Sequence, residues 1–495
     1  MKTELFHLSE ASQWSSCVLT YGHFSTIHPG HIRYLRHARS LGGQLVVALI
    51  GDESGSFPFN QLERAEALSL LRLADGVLLL RGDELNDAIQ HLKPTDLVLG
   101  NEYRQKQDIQ SSLTLQRSLG GSLHFDAGEV HYASTELLSS SESDLQSMRN
   151  KQFAAACKRQ GLDEQQILHS MQNWSSTRLI VLGDTIVDQY AACEAIGMSA
   201  EAPVIVVREL GQRNFIGGAA IVAAHIRAIG AQCDLVSVVG NDSSAHLVKQ
   251  ELADQQIGDA LTTDPTRPTT FKKRYLVDNQ KLFRVSRLEE QNLDTSVEAQ
   301  LIEQLEALAP KAKGIVVSDF VYGVVTPKIL GTVQQLALKH NLMLFGDLQC
   351  SSQLGSVTRF QHFSLLCPNE REARLALQDK ESGLEHISQQ LIQQTHCKRL
   401  LMKLGSEGFI AYDLGHNKEI NSQAFPALSV NPLDVTGAGD SLLAAMATGL
   451  ASGQAMMPTA ALACCMSSLA VKSMGNTPIS ADSLRSCVQK VLKQQ

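Results

Sequence analysis

Two separate runs of short apolar strands alternating with helices, divided by a polar stretch, leave this chain few ways to fold. In the first run an apolar strand over 17–21 meets a turn-rich loop over 22–30, a helix over 32–41 and a strand over 44–50. A helix over 62–73, a strand over 77–80, a helix over 85–92 and a strand over 96–99 follow. Strands that are apolar throughout, each followed by a helix, predict a parallel sheet covered by helices. A strand over 122–125 and the segment 134–138 close this unit near residue 140. The second run opens at Arg178 with a strand over 179–182 and continues through strands near 233–239, 314–318, 342–347 and 399–404. Segments 203–208 and 270–285 read as antiparallel strands of an appended flap. Between the runs, Ser139, Ser140, Ser141, Glu142 and Ser143 lead into polar helical sequence, expected as a helical linker over 141–177. The expectation is therefore an α/β chain with one domain over 1–140 and another over 178–495.

Composition narrows the function classes. A chain of 495 residues is too long for one ordinary core, and 43% hydrophobic with 19% charged residues means that most of it folds. The net charge of -8 argues against a general nucleic-acid partner, because affinity for a phosphate backbone needs clustered cations. The short run Lys272, Lys273, Arg274 does not reverse that and reads as a solvated strand end. Ten cysteines without a C-x-x-C pair give neither a zinc nor a dithiol redox pattern and suit reduced thiols in the cytoplasm. The first sixteen residues lack the basic start and apolar stretch of a secretory signal, and no apolar run reaches the ~18 residues of a membrane span. A cytoplasmic location with no membrane partner is expected.

The first chemical constellation runs from Tyr21 to His31, at the end of the first strand and into the first helix. Ligands bind there in open α/β sheets. Gly22 lets backbone amides approach an anion, the helix start near Gly30 attracts phosphate, and His28 and His31, three apart, can direct two imidazoles at one phosphate group. A zinc pair and ordinary loop histidines are the alternative readings of those two side chains.

The pattern G-x-F-x-x-x-H-x-G-H resembles the nucleotidyltransferase family that includes glycerol-phosphate cytidylyltransferases and heptose-phosphate adenylyltransferases. The resemblance covers roughly residues 17–140 and implies a Rossmann-like, cytidylyltransferase-like domain. It implies that His28 and His31 polarise the nucleotide phosphates, and that Gly22, Phe24, Arg64, Gly100, Ser134 and Thr135 bind the nucleotide, which is ATP or CTP. Ser25 stands where that family has Asp, and its lysine after the second strand has no counterpart between Asp52 and Asn60.

The second constellation is Asp434, Val435, Thr436, Gly437, Ala438, Gly439, Asp440, followed by an apolar helix over 441–450. Two glycines entering a helix N-terminus gather amides around an anion, and Asp440 is placed to take a proton from an attacking hydroxyl. A helix cap is the alternative reading of Asp440.

This D-x-x-G-A-G-D motif resembles the second signature of the ribokinase-like, or PfkB, sugar kinases, and further segments fall in that family's order over 178–490. Gly217, Gly218, Ala219 and Ala220 resemble its first signature, and Gly183 with Asp188 its opening strand. The resemblance implies that Asp188, Gly217, Gly218 and Asp434 meet the sugar, and that Lys403, Gly405, Gly408 and Thr436 surround ATP. Asn369 and Glu372 resemble an N-x-x-E motif that organises Mg²⁺ through water, and their spacing puts both on one helix face. A finer likeness, carried by Glu201, Ala202, Pro203, Val204 and by Ser318, Asp319, Phe320, is to bifunctional heptose-phosphate kinases and adenylyltransferases, with the two halves in reversed order. Ile221, Tyr322 and Gln349 replace an Asn and two Lys of those relatives near the sugar phosphate, so a different grip on the substrate anion is expected. The resemblance implies small-molecule sugar phosphate and nucleotide substrates, ATP and Mg²⁺ as cofactors, and a homodimer paired through the flap.

Overall fold

The computed structural model describes residues 3–24, 29–54, 59–82, 84–100, 103, 106–125, 142–278, 280–349, 355–379, 382–415 and 420–493. They form two compact units, Met1–Ser140 and Ser141–Gln495.

The first unit is built on a six-stranded sheet in the order β1-β4-β3-β2-β5-β6, parallel throughout. Its strands are β1 (Glu4–Phe6), β2 (Val18–Gly22), β3 (Leu45–Leu49), β4 (Gly76–Leu79), β5 (Asp96–Val98) and β6 (Ser122–His124). Every residue of β2, β3 and β4 is buried, as strands covered on both faces must be. Helices Pro29–Ser40, Gln61–Leu70, Leu85–Leu92 and Gln110–Ser118 supply the cover. From β2 the chain winds outward through β3 to β4, then returns to place β5 on the other side of β2. That reversal opens a crevice beyond the C-terminal ends of β2 and β5, the place for a ligand in this architecture. Strand β1 was not legible, because only Phe6 of its three residues is buried and the stretch before Cys17 reads as polar.

The second unit carries a nine-stranded sheet in the order β11-β10-β7-β14-β15-β16-β17-β18-β19. Its members are β7 (Arg178–Gly183), β10 (Gln232–Val239), β11 (Gly258–Thr263), β14 (Gly314–Asp319), β15 (Met343–Leu348), β16 (Leu365–Leu366), β17 (Arg399–Lys403), β18 (Phe409–Leu414) and β19 (Ile420–Phe425). Only the edge strands β18 and β19 pair antiparallel. The winding reverses between β7 and β14, so the crevice of this sheet lies at Gly183 and Asp319. Over that end stands a separate four-stranded flap in the order β13-β12-β8-β9, made of β8 (Thr185–Met198), β9 (Ile205–Gly218), β12 (Thr270–Val277) and β13 (Gln280–Arg287). Strand β8 starts two residues after β7 ends, which roots the flap at the crevice. The flap is larger than its sequence suggests, since β8 alternates weakly and β9 is mostly exposed. Its pairing also differs, because β12 meets β8 in parallel and β13 antiparallel.

Helices Ala438–Ala451 and Met456–Ala470 are buried nearly all round and pack against each other. The stretch expected as a linker is helical over Glu142–Arg159 and Glu164–His169, but its apolar side belongs to the second unit's core. Phe153, Cys157, Ile167, Met171 and Trp174 are buried there, and Arg149 donates to the carbonyls of Ala427 and Ser429 at 2.7 and 2.6 Å. A polar average over 139–177 hides those five apolar positions. No helix among the described residues is long and apolar enough to cross a membrane.

Candidate active sites

In the second unit the loop before helix Ala438–Ala451 is shaped by Asp434. Its Oδ1 accepts from the Thr436 amide at 3.0 Å and Lys281 Nζ at 2.7 Å, and its Oδ2 from Tyr190 at 2.7 Å and the Gly475 amide at 3.1 Å. Burial alone would raise this carboxyl, but the bonds from Lys281, Tyr190 and Thr436 outweigh it and hold the pKa at about 2. Gly437 then turns the chain at φ +77°, where a Cβ would stand 2.4 Å from Asn476 Oδ1, so only glycine fits. No side chain caps the first turn of the following helix; the Ala438 amide donates to the Val435 carbonyl at 3.4 Å, and the amides after it are available to an anion.

Asp440, in that first turn, is only 5% exposed. Its pKa is pushed up to about 7, chiefly by burial and then by the Asp347 carboxylate, with Lys403 and Gln349 opposing. Gln349 Nε2 donates to its Oδ1 at 2.9 Å. Lys403 grips both oxygens of Asp347 at 2.7 and 2.9 Å, and its ammonium lies 3.4 Å from where a Gly439 Cβ would be. A carboxyl that ionises near neutrality beside unsatisfied amides can take a proton while the amides hold the anion that forms.

Asn369 and Glu372 do not share a helix face as their spacing suggested. Asn369 is the N-cap of helix Glu370–Leu377 and Glu372 its third residue, bonded to each other reciprocally at 2.8 Å in a capping box. Asn369 also bridges to Lys403, which brings the pair to the same end of β17. Gly405 and Gly408, at φ +62° and +98°, form the turn that follows Lys403. Thr436 is engaged by the flap, its hydroxyl accepting from Lys281 at 3.0 Å.

Asp188 lies in β8, ion-paired with Arg274 and accepting from Asn476 Nδ2 at 3.2 Å. Its Oδ2 would be 2.5 Å from a Cβ on Gly217, so the glycine of the first signature is what lets this carboxylate meet the chain. Gly218 is the N-cap of helix Ala219–Ala228 at φ +61°. The structure thus gathers Asp188, Gly217, Gly437 and Asn476 at one place, and the Asp188 charge reaches Asp440.

The first unit presents Gly22 at the end of β2 and Gly100 just past β5, on the two sides of its crevice. Phe24 is buried in the left-handed region at φ +44°, with its ring 4.9 Å from that of His31. Tyr34 donates to the Val98 carbonyl at 2.6 Å and ties the first helix to β5. His28, Ser134 and Thr135 lie outside the described residues. Arg64, expected at the nucleotide, is 1% exposed and turned inward. Its guanidinium donates to the carbonyls of His23, of Ile50 at 3.0 Å and of Phe59 at 3.1 Å, and to Asp52 at 2.7 Å. It pins the loop after β2 to the end of β3. His23 is held below the ordinary imidazole pKa by burial, then by Arg64 and Lys106.

The description "pfkB family carbohydrate kinase" matches residues 176–482, more than half of the chain. The chain belongs to the pfkB family of carbohydrate kinases. The description "Cytidylyltransferase-like" matches residues 19–180, ahead of the kinase region. Among curated relatives, a "Bifunctional protein HldE" of Trichlorobacter lovleyi is 29% identical over 323 residues, covering 64% of each chain. Another, of Campylobacter jejuni serotype O:6, is 30% identical over 313 residues, 62% of this chain and 64% of that one. The chain thus spans about 64% of the length of these curated relatives. Phosphofructokinase-2 from Escherichia coli shares the fold, with a TM-score of 0.53 at 17% identity over 64% of this chain and 99% of that one.

Around the pfkB motifs the structure adds residues that sequence reasoning passed over. Arg274 stood in a run read as a solvated strand end, yet β12 turns it inward onto Asp188 while Lys273 faces outward to Glu209 at 2.8 Å. Alternation along that strand was the available signal. Tyr190, Lys281 and Asn476 had none, because each reaches the site from a distant part of the chain.

Proposed function

We propose that the second unit transfers a phosphoryl group from ATP to a sugar hydroxyl, with Asp440 as the base, and that the first unit couples a sugar 1-phosphate to a nucleotide. In the first reaction the hydroxyl oxygen bonds to the γ-phosphorus, its proton passes to Asp440, and ADP leaves. The Gly437, Ala438, Gly439 turn holds the migrating anion on its amides, while Asp188 and Gly217 orient the sugar. In the second reaction the sugar phosphate oxygen attacks the α-phosphorus and pyrophosphate leaves, at the crevice bearing Gly22, Phe24, His31, Gly100 and, by resemblance, His28, Ser134 and Thr135. Together the two steps fit the manufacture of a nucleotide-activated, heptose-like sugar for surface polysaccharide. ATP serves the kinase, and ATP or CTP the transferase.

Mg²⁺ fits as a cation that arrives on the nucleotide phosphates, because no cluster of three His, Cys, Asp or Glu side chains is found among the described residues. Glu372, whose charge is felt at Lys403, is the carboxylate that would meet its water shell. When bound it supplies charge neutralisation on the phosphates. A homodimer through the flap is supported by the exposed Ile196, Met198, Ile205, Leu210 and Phe283 on β8, β9 and β13. Leu210→Asp is expected to convert that dimer to a monomer in sedimentation.

The observation that carries the kinase reading is the buried Asp440, ionising near neutrality at an uncapped helix start. Asp440→Asn should abolish ATP-dependent phosphorylation of a sugar while ATP binding is kept, and unchanged turnover refutes the assigned base. A second reading, an active kinase with a regulatory first unit, is favoured by the inward Arg64. Pyrophosphate release from ATP and CTP, tested across sugar 1-phosphates, separates the two.

A further inference from the structure

Nearly every charged side chain around the second unit's crevice has its counter-charge within the protein. Arg274 pairs with Asp188, Lys403 with Asp347, Lys281 with Asp434, and Arg359 with Asp319. Lys272 is different. It is 4% exposed, and among the described residues its ammonium has neither a hydrogen-bond acceptor nor a carboxylate in ion-pair reach. What it has is two aromatic rings, Phe320 at 5.1 Å and Tyr322 at 5.0 Å.

Its position is set by the fold. Lys272 and Arg274 are two apart on β12 and therefore share a face, and Lys272 is the cross-strand partner of Asp188 on β8. Phe320 and Tyr322 sit in the loop that leaves β14, at the point where the sheet's winding reverses. Asp184, at the end of β7, holds that loop by accepting from the Phe320 amide at 2.7 Å. The ammonium is thus fixed between the root of the flap and the C-terminal ends of β7 and β14, one strand from the carboxylate assigned to the sugar. Cation–π attraction offsets part of what a buried ammonium loses in hydration, but rings accept none of its hydrogen bonds in full.

We propose that Lys272 is the anion-recognition residue of the acceptor site, binding a terminal oxyanion of the sugar, a phosphate monoester or a carboxylate, while the sugar's hydroxyls face Asp188 and Asp440. This rests on the kinase reading of the same crevice and names the residue that reads the anion there. The Phe320 and Tyr322 rings flank the ammonium and leave its N–H groups for the ligand. The expectation that this pocket holds its anion differently from its heptose relatives acquires a concrete residue.

The test uses the full chain with ATP and Mg²⁺ and a panel of five-, six- and seven-carbon sugars, each as the neutral sugar, the terminal phosphate monoester and the terminal carboxylate. The wild type should prefer an anionic member, and the phosphate and carboxylate arms show which oxyanion is read. Lys272→Met keeps the apolar stem between the rings and should lower the preference ratio in kcat/KM by about 10- to 100-fold, the scale of lost charge-assisted hydrogen bonds. Lys272→Arg should restore most of it. Because Lys272→Met removes an uncompensated buried charge, its melting temperature should equal or exceed that of the wild type. A neutral sugar used as well as its anionic forms, an unchanged ratio in Lys272→Met, or a lowered melting temperature each overturns the assignment. If no sugar is phosphorylated, the kinase reading fails separately, and Lys272 is judged by inorganic phosphate and sulfate. These should raise the melting temperature of the wild type more than that of Lys272→Met, and equal shifts overturn the proposal.

Discussion

The two crevices are made by the same winding rule and finished in opposite ways. Among the described residues of the first unit, Arg64 ties His23 after β2 to the end of β3 through three carbonyls and the Asp52 carboxylate, and most of these partners lie within one βα neighbourhood. In the second, a loop of seven residues is shaped by Tyr190, Lys281, Gly475 and Asn476, contributed by two flap strands and a segment beyond the next helix. A site built locally is readable as a motif. A site built from remote pieces gains redundancy and hides its parts from sequence reading.

Asp440→Asn should give the largest break between the units. Removing the proton acceptor should cost about 10²- to 10⁴-fold in kcat of phosphorylation, with pyrophosphate release by the first unit retained. Next comes Arg64→Met, which strips the guanidinium from His23, Ile50, Phe59 and Asp52 in one buried place. A loss of roughly 3–5 kcal/mol in the first unit's stability is expected, the scale for breaking a buried charged network. It is read as a low-temperature transition in calorimetry, with phosphorylation kept. Gly437→Ala places a methyl against Asn476 and forces an L-residue into a left-handed turn. It should reduce phosphorylation by about 10- to 100-fold, from a strain of 1–3 kcal/mol, and leave the first unit's chemistry alone.

A pH series sharpens the same contrast. Asp440 accepts a proton only when ionised, so kcat/KM for phosphorylation should rise with pH through a midpoint near the group's value of about 7. Stability runs the other way. A carboxyl whose folded pKa is raised contributes stability that is full below its ordinary value and is lost as pH rises through about 7. Asp440→Asn should therefore melt above the wild type at pH 8, and the gap should close toward acid. The smallest effect is expected from Gln349→Leu, which removes the amide that favours ionised Asp440 and should move the acid limb of kcat/KM to higher pH.

The parallel parts of both sheets were legible, because strands such as β3 and β7 are apolar at nearly every position and bounded by turns. The helix starting at Ala438 was legible from its glycines. Strand β8 was not, since its outer half is exposed and its inner half carries Asp188 and Gln189 among apolar neighbours. The helices over 142–169 were assigned to a linker because their buried positions, Phe153, Ala154, Ala156 and Cys157 among them, sit within polar sequence rich in Gln and Lys. In the candidate sites, residue types in fixed order led to Asp440, Gly437 and Asp188. The i, i+3 spacing of Asn369 and Glu372 marks a capping box, and Arg64, expected from the resemblance, has its guanidinium bonded inside the fold. The basic run at Lys272 was averaged as a charge cluster, whereas a two-residue period separates its members onto opposite faces.

The four bonds at Asp434 join the flap and the loop before helix Ala438–Ala451 into a single mechanical part. Any outward swing of strands β8 and β13 withdraws the Tyr190 hydroxyl and the Lys281 ammonium from the carboxylate that sets the loop's shape. On the proposed kinase assignment, opening to exchange a sugar loosens the grip on phosphate in the same stroke, and a chain with its roof raised is poorly formed to waste ATP on water.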